Sequence, residues 1–405
     1  LAVYYSGAVV TFPIRGSTLG LFLMGLAAFL AGALLPRLLS RDAVAVRTLG
    51  ILPDRAALGL QTGVLVLLAI SVVGSLLYMR LLHQAIGIQS LWQNPAMVRL
   101  AEGTELRYVG WVGVTRGFMV PAFVLACLSY RHMPVERRRT MKIAALVAFL
   151  LCIPSAGRTL LMTLAVWGSL VIIYSMECDG LRRPVRRLAT PLAIIALVMM
   201  GYFLLVGQVL QKALANHYAI VEMTRLPPAL SGIADVIHYQ TYGLPAFERL
   251  VDMPREFEQR ASLTFGVASR LMYSFDAGRF DRPEYVQPFV FVPLSTNLYT
   301  WFDAFYMDFG WWGMILLPLA TGLLSGAAYA WMRAAPGVLK IYITGLVGVC
   351  VLQSTTVNRF GNFQTWVWLI GPPLIVVLCR VLAERLPART GFGAPAGPAH
   401  VADPA

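Results

Sequence analysis

Apolar residues run almost without interruption over about 18–39, 58–82, 108–130, 142–154, 159–176, 190–214, 309–332, 338–353 and 363–383, and turn-forming or charged residues separate these runs. The pattern predicts nine membrane helices, since about 20 apolar residues cross a hydrocarbon layer. Leu1 to Phe12 is apolar but too short to cross, and is counted as a partial tenth helix. One long polar break, residues 215–308, divides the chain. Residues 1–214 are thus expected to carry the N-terminal helices, 215–308 a large extramembrane loop with rim helices, and 309–385 the C-terminal helices. Residues 386–405, rich in Pro, Gly and Ala, are expected to form a disordered tail. The expected class is an all-α polytopic membrane protein.

The loop returns to the membrane through Asn297-Leu-Tyr-Thr-Trp-Phe-Asp303-Ala-Phe-Tyr-Met-Asp308-Phe-Gly310-Trp-Trp-Gly313. Irregular backbone at membrane depth survives only when protein or a water-filled cavity shields it. The segment therefore predicts a recess beside the helix mouths.

Composition removes competing classes. With 58% apolar and 13% charged residues and a mean hydropathy of +0.68, the chain cannot be an ordinary soluble domain. A pI near 9.8 raises the question of nucleic acid. The cations, however, gather in short loops: Arg37, Arg41, Arg47 and Arg55; Arg131, Arg137, Arg138, Arg139 and Lys142; Arg182, Arg183, Arg186 and Arg187; and Arg380, Arg385 and Arg389. This is the positive-inside pattern. It places 83–107, 154–158, 215–308 and 354–362 on the opposite, outer side, and every helix then alternates. The outer loop holds seven Arg against eleven Asp and Glu, so no nucleic-acid partner is expected. Cys127, Cys152, Cys178, Cys350 and Cys379 lie in or beside apolar runs and read as small buried hydrophobes. The outer segments hold no Asp-x-Asp or His-x-x-x-His pattern, so no metal and no cofactor are expected.

Three outer arginines invite an anion. The run Ile143–Ile153 rises only about 17 Å before Pro154-Ser-Ala-Gly-Arg158 turns the chain, which recesses Arg158 below the outer surface. Arg116 lies about eight residues, or ~12 Å, below the outer end of its helix. Arg359 tops the hairpin between the last two helices. A guanidinium fork matches phosphate oxygens, so these residues suit a diphosphate; the alternative for each is a headgroup anchor or a carboxylate partner.

The loop also offers bases. His238 lies at i+3 from Asp235, a helical spacing that orients the ring, while His83 and His217 are further outer histidines. Asp308 opens Asp-Phe-Gly, where a carboxylate caps a helix N-terminus; Asp303 lies five residues earlier, and either carboxylate could serve as a base with the other structural. Tyr239 and Tyr242 belong to an aromatic stretch that suits a membrane rim or a sugar face.

Thr300-Trp-Phe-Asp-Ala-Phe-Tyr-Met-Asp308-Phe-Gly310-Trp-Trp-Gly313, Tyr239-Gln-Thr-Tyr-Gly-Leu-Pro-Ala-Phe and Ser155-Ala-Gly-Arg158 resemble the Wzy-type oligosaccharide repeat-unit polymerases of bacterial surface polysaccharide synthesis. The resemblance implies a GT-C-like, metal-independent inner-membrane glycosyltransferase with its site facing the periplasm. It would move a growing glycan from undecaprenyl diphosphate onto a lipid-linked repeat unit, with inversion. Implied partners are that lipid-linked oligosaccharide and the bilayer, with a chain-length regulator and a flippase as candidates. Outer-loop arginines are what the resemblance implies for the site, and that carries over to Arg158, Arg270 and Arg282. With the residues read above, the expected catalytic residues are His238, Asp303, Asp308 and Arg158, and the expected substrate contacts are Arg116, Arg270, Arg282, Arg359, Tyr239 and Thr300. Two other readings remain open: a ligase that passes glycan to a different acceptor, and a lipid-linked glycan flippase or transporter.

Overall fold

The computed structural model describes residues 14–39, 48–87, 110–153, 158–181, 188–190, 192–194, 196–198, 200–201, 241–252, 263–275, 290–292, 295–296, 300–355 and 358–385. They form α1 (Gly16–Leu39), α2 (Asp54–Ile86), α3 (Gly110–Gly117), α4 (Met119–Tyr130), α5 (Val135–Cys152), α6 (Arg158–Cys178), α7 (Gly243–Asp252), α8 (Gly266–Phe275), α9 (Phe302–Ala334), α10 (Val338–Leu352) and α11 (Phe363–Arg385). Between α8 and α9, β1 (Val290–Phe291) and β2 (Ser295–Thr296) make a two-stranded antiparallel pair.

Among the described residues, six helices are long and apolar enough to cross a membrane: α1, α2, α3 with α4 (Gly110–Tyr130), α6 from Leu160, α9 and α11. Leu30, Leu34, Leu76, Leu146, Leu316 and Leu374 are 50–65% exposed, an apolar belt of the kind that faces lipid. The chain is an all-α polytopic membrane protein. Nine or ten spans were expected, and the difference has visible reasons. At 15 residues, α10 covers only about 22 Å. Helix α5 opens on Glu136-Arg137-Arg138-Arg139, which shortens its apolar part. The run at 190–214 is described only as far as 201, and the partial helix at 1–12 and the tail 386–405 lie outside the described residues.

Contacts sort the helix ends into two groups. At one end Arg55 reaches Glu384 O, Arg137 reaches Gln61, Arg131 pairs with Asp179, and Glu177 meets Tyr329 and Arg333. His132 is buried there, its Nε2 3.0 Å from Ser175 Oγ. Among the described residues, Arg55, Arg131, Arg137 and Arg333 therefore share one end. The opposite end, called the hairpin end below, gathers the tip at 353–362 and the starts of α3, α6, α9 and α11.

Helix α3–α4 is the axis of the bundle, with 72% of its apolar window buried against 22% for α1, α9 and α11. Pro121 lacks an N–H and so cannot bond Gly117 O four residues back. The Trp368 indole supplies that bond instead, at 3.0 Å. The same repair recurs where Pro372 frees Trp368 O, to which the Tyr342 hydroxyl donates at 2.8 Å, and Trp167 Nε1 donates in turn to Tyr342 O at 3.2 Å. Trp167, Tyr342 and Trp368 stack at the centre of the main core. In hydrocarbon an unpaired carbonyl costs several kcal/mol, so these side chains are what make the prolines tolerable.

Small residues set the other contact. A Cβ on Gly32, Gly322 or Gly326 would collide with the backbone of Leu319, Phe29 or Ala33, so α1 and α9 lie backbone to backbone. Gly322-x-x-x-Gly326 is thus a packing motif, whereas around Gly16 and Gly20 nothing among the described residues lies within 4 Å of such a Cβ.

Candidate functional site

Helix α9 is two helices. Gly310 has φ 59° and ψ −142°, a conformation open essentially to glycine alone, and the chain folds sharply there. Phe305 O consequently lies against Gly313, whereas eight residues of straight helix would separate them by about 12 Å. The spanning part thus begins just past Gly310, close to the start expected at 309. Its predecessor, Phe302–Phe309, runs back alongside it as a re-entrant helix. Phe302 and Met314 O both touch the Cβ position of Gly25, which sets Phe302 about 6 Å below the Gly310 bend.

Protein shields this descent. Trp301, Phe302 and Phe305 are buried among Leu21, Tyr242, Phe247 and Met314, with Trp301 also against Phe29 and Phe360. Tyr242 is 1% exposed, and burial pushes its hydroxyl up to about 12, so it is a core residue and not a sugar platform. At the hairpin end Arg15, just before α1, pairs with the buried Glu248 at 3.2 Å and with Asp252 on α7, an anchor that sequence reasoning missed.

Helix α10 stops short, and its end meets the bottom of the re-entrant segment: Trp301 N–H donates to Ser354 O at 2.8 Å. The result is a recessed polar layer. Arg359 donates through Nε to Gln353 Oε1 at 2.6 Å, and Gln353 Nε2 donates to Thr163 Oγ1 at 3.0 Å. Thr163 lies five residues into α6, about 7 Å below Arg158. Burial holds the Arg359 guanidinium below its usual range, and its charge reaches Cys350. Asn358 is 9% exposed and Thr300 7%. Among the described residues, Asn358 Nδ2 and Thr300 Oγ1 have no hydrogen-bond partner.

The same hairpin carries the layer to Arg116. Asn362 Oδ1 caps α11 by accepting from Gln364 N–H at 2.8 Å, and the Gln364 amide packs on Gly117, where no Cβ would fit. Arg116 is 8% exposed, with its guanidinium 3.8 Å over the Tyr78 ring and its charge reaching Cys152, the last residue of α5. Gly74 on α2 gives it room: a Cβ there would meet Arg116 N.

Of the expected residues, Arg116, Arg359, Thr300, Asp303 and Asp308 come to this end of the bundle. Asp303 is buried at 1% exposure. Asp308 Oδ2 accepts the Thr264 N–H at 2.6 Å, and Thr264 Oγ1 donates to Ala304 O, so this carboxylate ties α8 to the re-entrant helix. Arg158 is the first residue of α6 and Arg270 lies in α8, while their side chains, like His238, Tyr239 and Arg282, fall outside what is described. Gln353, Thr163 and Gln364 were missed. A signal existed for Gln353, a polar residue directly ending an apolar run; nothing in the sequence marked Thr163. Among the described residues no group of three or more His, Cys, Asp or Glu could hold a metal ion.

No family, no curated protein and no solved structure matches this chain.

Proposed function

We propose that this protein is a bacterial inner-membrane glycosyltransferase that polymerises lipid-linked oligosaccharide repeats at its hairpin end, which faces the periplasm. The observation that carries the reading is the enclosure of two arginines from distant segments, the buried Arg116 and the half-buried Arg359, at the end opposite the basic loops. Buried cations are costly, and an anion delivered from the bilayer repays that cost. The resemblance of Asp308-Phe-Gly310 and its neighbours to repeat-unit polymerases supplies the reaction class.

In the reaction, the bond between the anomeric carbon and the polyprenyl diphosphate breaks, and its electron pair stays on the diphosphate. Arg359, Arg116 and Arg158 are the groups to stabilise that charge. The acceptor sugar hydroxyl attacks from the opposite face and inverts the centre, its proton passing to a base. Asp303 at 1% exposure cannot reach a sugar as it stands, and Asp308 is engaged by Thr264, so His238 is the preferred base. Substrate binding would draw on Asn358 and Thr300, with Arg270, Arg282 and Tyr239 from the loop.

The test is extension of a defined polyprenyl-diphosphate-linked repeat by purified protein in nanodiscs. The native chain should give a ladder of products, and Arg359→Ala and Arg116→Ala should lose it while remaining folded. A full ladder from both variants, or transfer to a different acceptor only, would overturn the assignment. In cells, Arg158→Ala should leave single repeats on lipid A.

A further inference from the structure

Helix α8 exposes a face that water does not suit. Phe265 just before it and Ala268, Leu271, Met272 and Phe275 within it are all exposed, Phe275 at 88%, Phe265 at 50% and Leu271 at 49%. Their spacing of three and four residues gathers them into one stripe of roughly 120°. Ser269 and Tyr273, off that stripe, are half-buried. An ordinary solvent-exposed helix shows the reverse arrangement, polar outward and apolar inward.

We propose that α8 is an interfacial helix whose apolar face lies among the phospholipid acyl chains of the leaflet at the hairpin end. Three observations fix lipid as the occupant. Phe265 meets Phe309 edge to face at 6.2 Å, and Phe309, Trp311 and Trp312 are themselves 40–71% exposed at the top of the spanning part of α9, so the stripe continues directly into the lipid-facing belt. Exposed Trp111 at the start of α3 and Trp366 at the start of α11 mark the same level, the place where indoles collect at a bilayer surface. The helix is also held at that level by its N-terminal turn: Thr264 is bonded to Asp308, and Gly266 lies so close to Gly361 O that a Cβ there would be 2.8 Å away. Ten residues span only about 15 Å, too short to cross, so α8 lies along the surface. Part of the extramembrane loop is therefore monotopic, and its helix packs at its start on Gly361 of the hairpin that carries Asn358 and Arg359.

The inference stands apart from the proposed reaction and is tested without it. Spin labels at Phe275→Cys, Met272→Cys and Ser269→Cys, each in the full chain in phosphatidylethanolamine/phosphatidylglycerol nanodiscs, are read by power saturation with oxygen and with a water-soluble nickel chelate; the unsubstituted protein supplies the background from its native cysteines. Labels at 275 and 272 should collide with oxygen more than with nickel, and the label at 269 should be shielded from both. Nickel accessibility exceeding that of oxygen at 275 would show a face in water and overturn the proposal. Shielding from both reagents at 275 would show a face covered by protein, and would overturn it equally.

Discussion

The indole N–H of Trp368 on α11 donates at 3.0 Å to Gly117 O on α3, the carbonyl whose helical partner Pro121 removes. The side chain repairs a defect in another helix, so their effects must couple. Trp368→Phe should lower stability by about 1–2 kcal/mol, the scale of an interhelical hydrogen bond in a membrane. Pro121→Ala restores the intrahelical donor. Thermal unfolding of the two single variants and the double variant should show the penalty of Trp368→Phe shrinking once Pro121→Ala is also present; simple additivity would refute the repair.

Gly310 turns the re-entrant helix into the spanning one at φ 59°. Gly310→Ala must hold a Cβ in that conformation, at a cost of about 1–3 kcal/mol. A lowered midpoint of thermal unfolding is expected, with Gly337→Ala, where nothing among the described residues lies within 4 Å, as the neutral control.

Gln353 separates stability from charge. Gln353→Ala leaves the half-buried Arg359 without its Gln353 acceptor and should cost roughly 2 kcal/mol. Gln353→Glu keeps an acceptor and adds a negative charge beside the guanidinium. It should therefore stay folded yet fail to extend lipid-linked repeats, because the anion site is already neutralised. Full activity of Gln353→Glu would remove Arg359 from the proposed mechanism.

His132 predicts the acid limit of the fold. Burial is the largest influence on its ring and lowers its pKa from the ordinary 6.5, against an opposing pull from Asp179. A histidine with a depressed folded pKa stays neutral while the unfolded chain takes up a proton. Its stabilisation is thus complete above about pH 6.5 and is lost as pH falls through the lower folded value. Between pH 7.5 and 5.5 the unfolding midpoint of the native protein should drop more than that of His132→Gln.

The helices and their alternation were legible because long apolar runs and Arg clusters report directly on a hydrocarbon layer. The polar layer at the hairpin end was legible in outline, from polar residues such as Asp303 and Thr300 sitting where a spanning helix should begin. Its construction was not. The bend at Gly310 depends on one backbone conformation, and any of 35 glycines offers that freedom. Arg359 stood out as an outer cation, but its bond to Gln353 and the further link to Thr163 on α6 join segments 190 residues apart, which no local pattern can announce. Tyr242 read equally well as a rim or sugar-stacking residue, since exposure decides between those and a core, and exposure belongs to the folded chain.

The proline repair also sets a timetable for biosynthesis. Gly117 and Trp368 are separated by 251 positions, so the donor leaves the ribosome about 13–50 s after the acceptor at ordinary elongation rates. Through that interval the axial helix sits in the bilayer with its carbonyl served by whatever else is present, such as water, lipid headgroups or an insertion chaperone, and the bundle closes around it only when its last helix arrives.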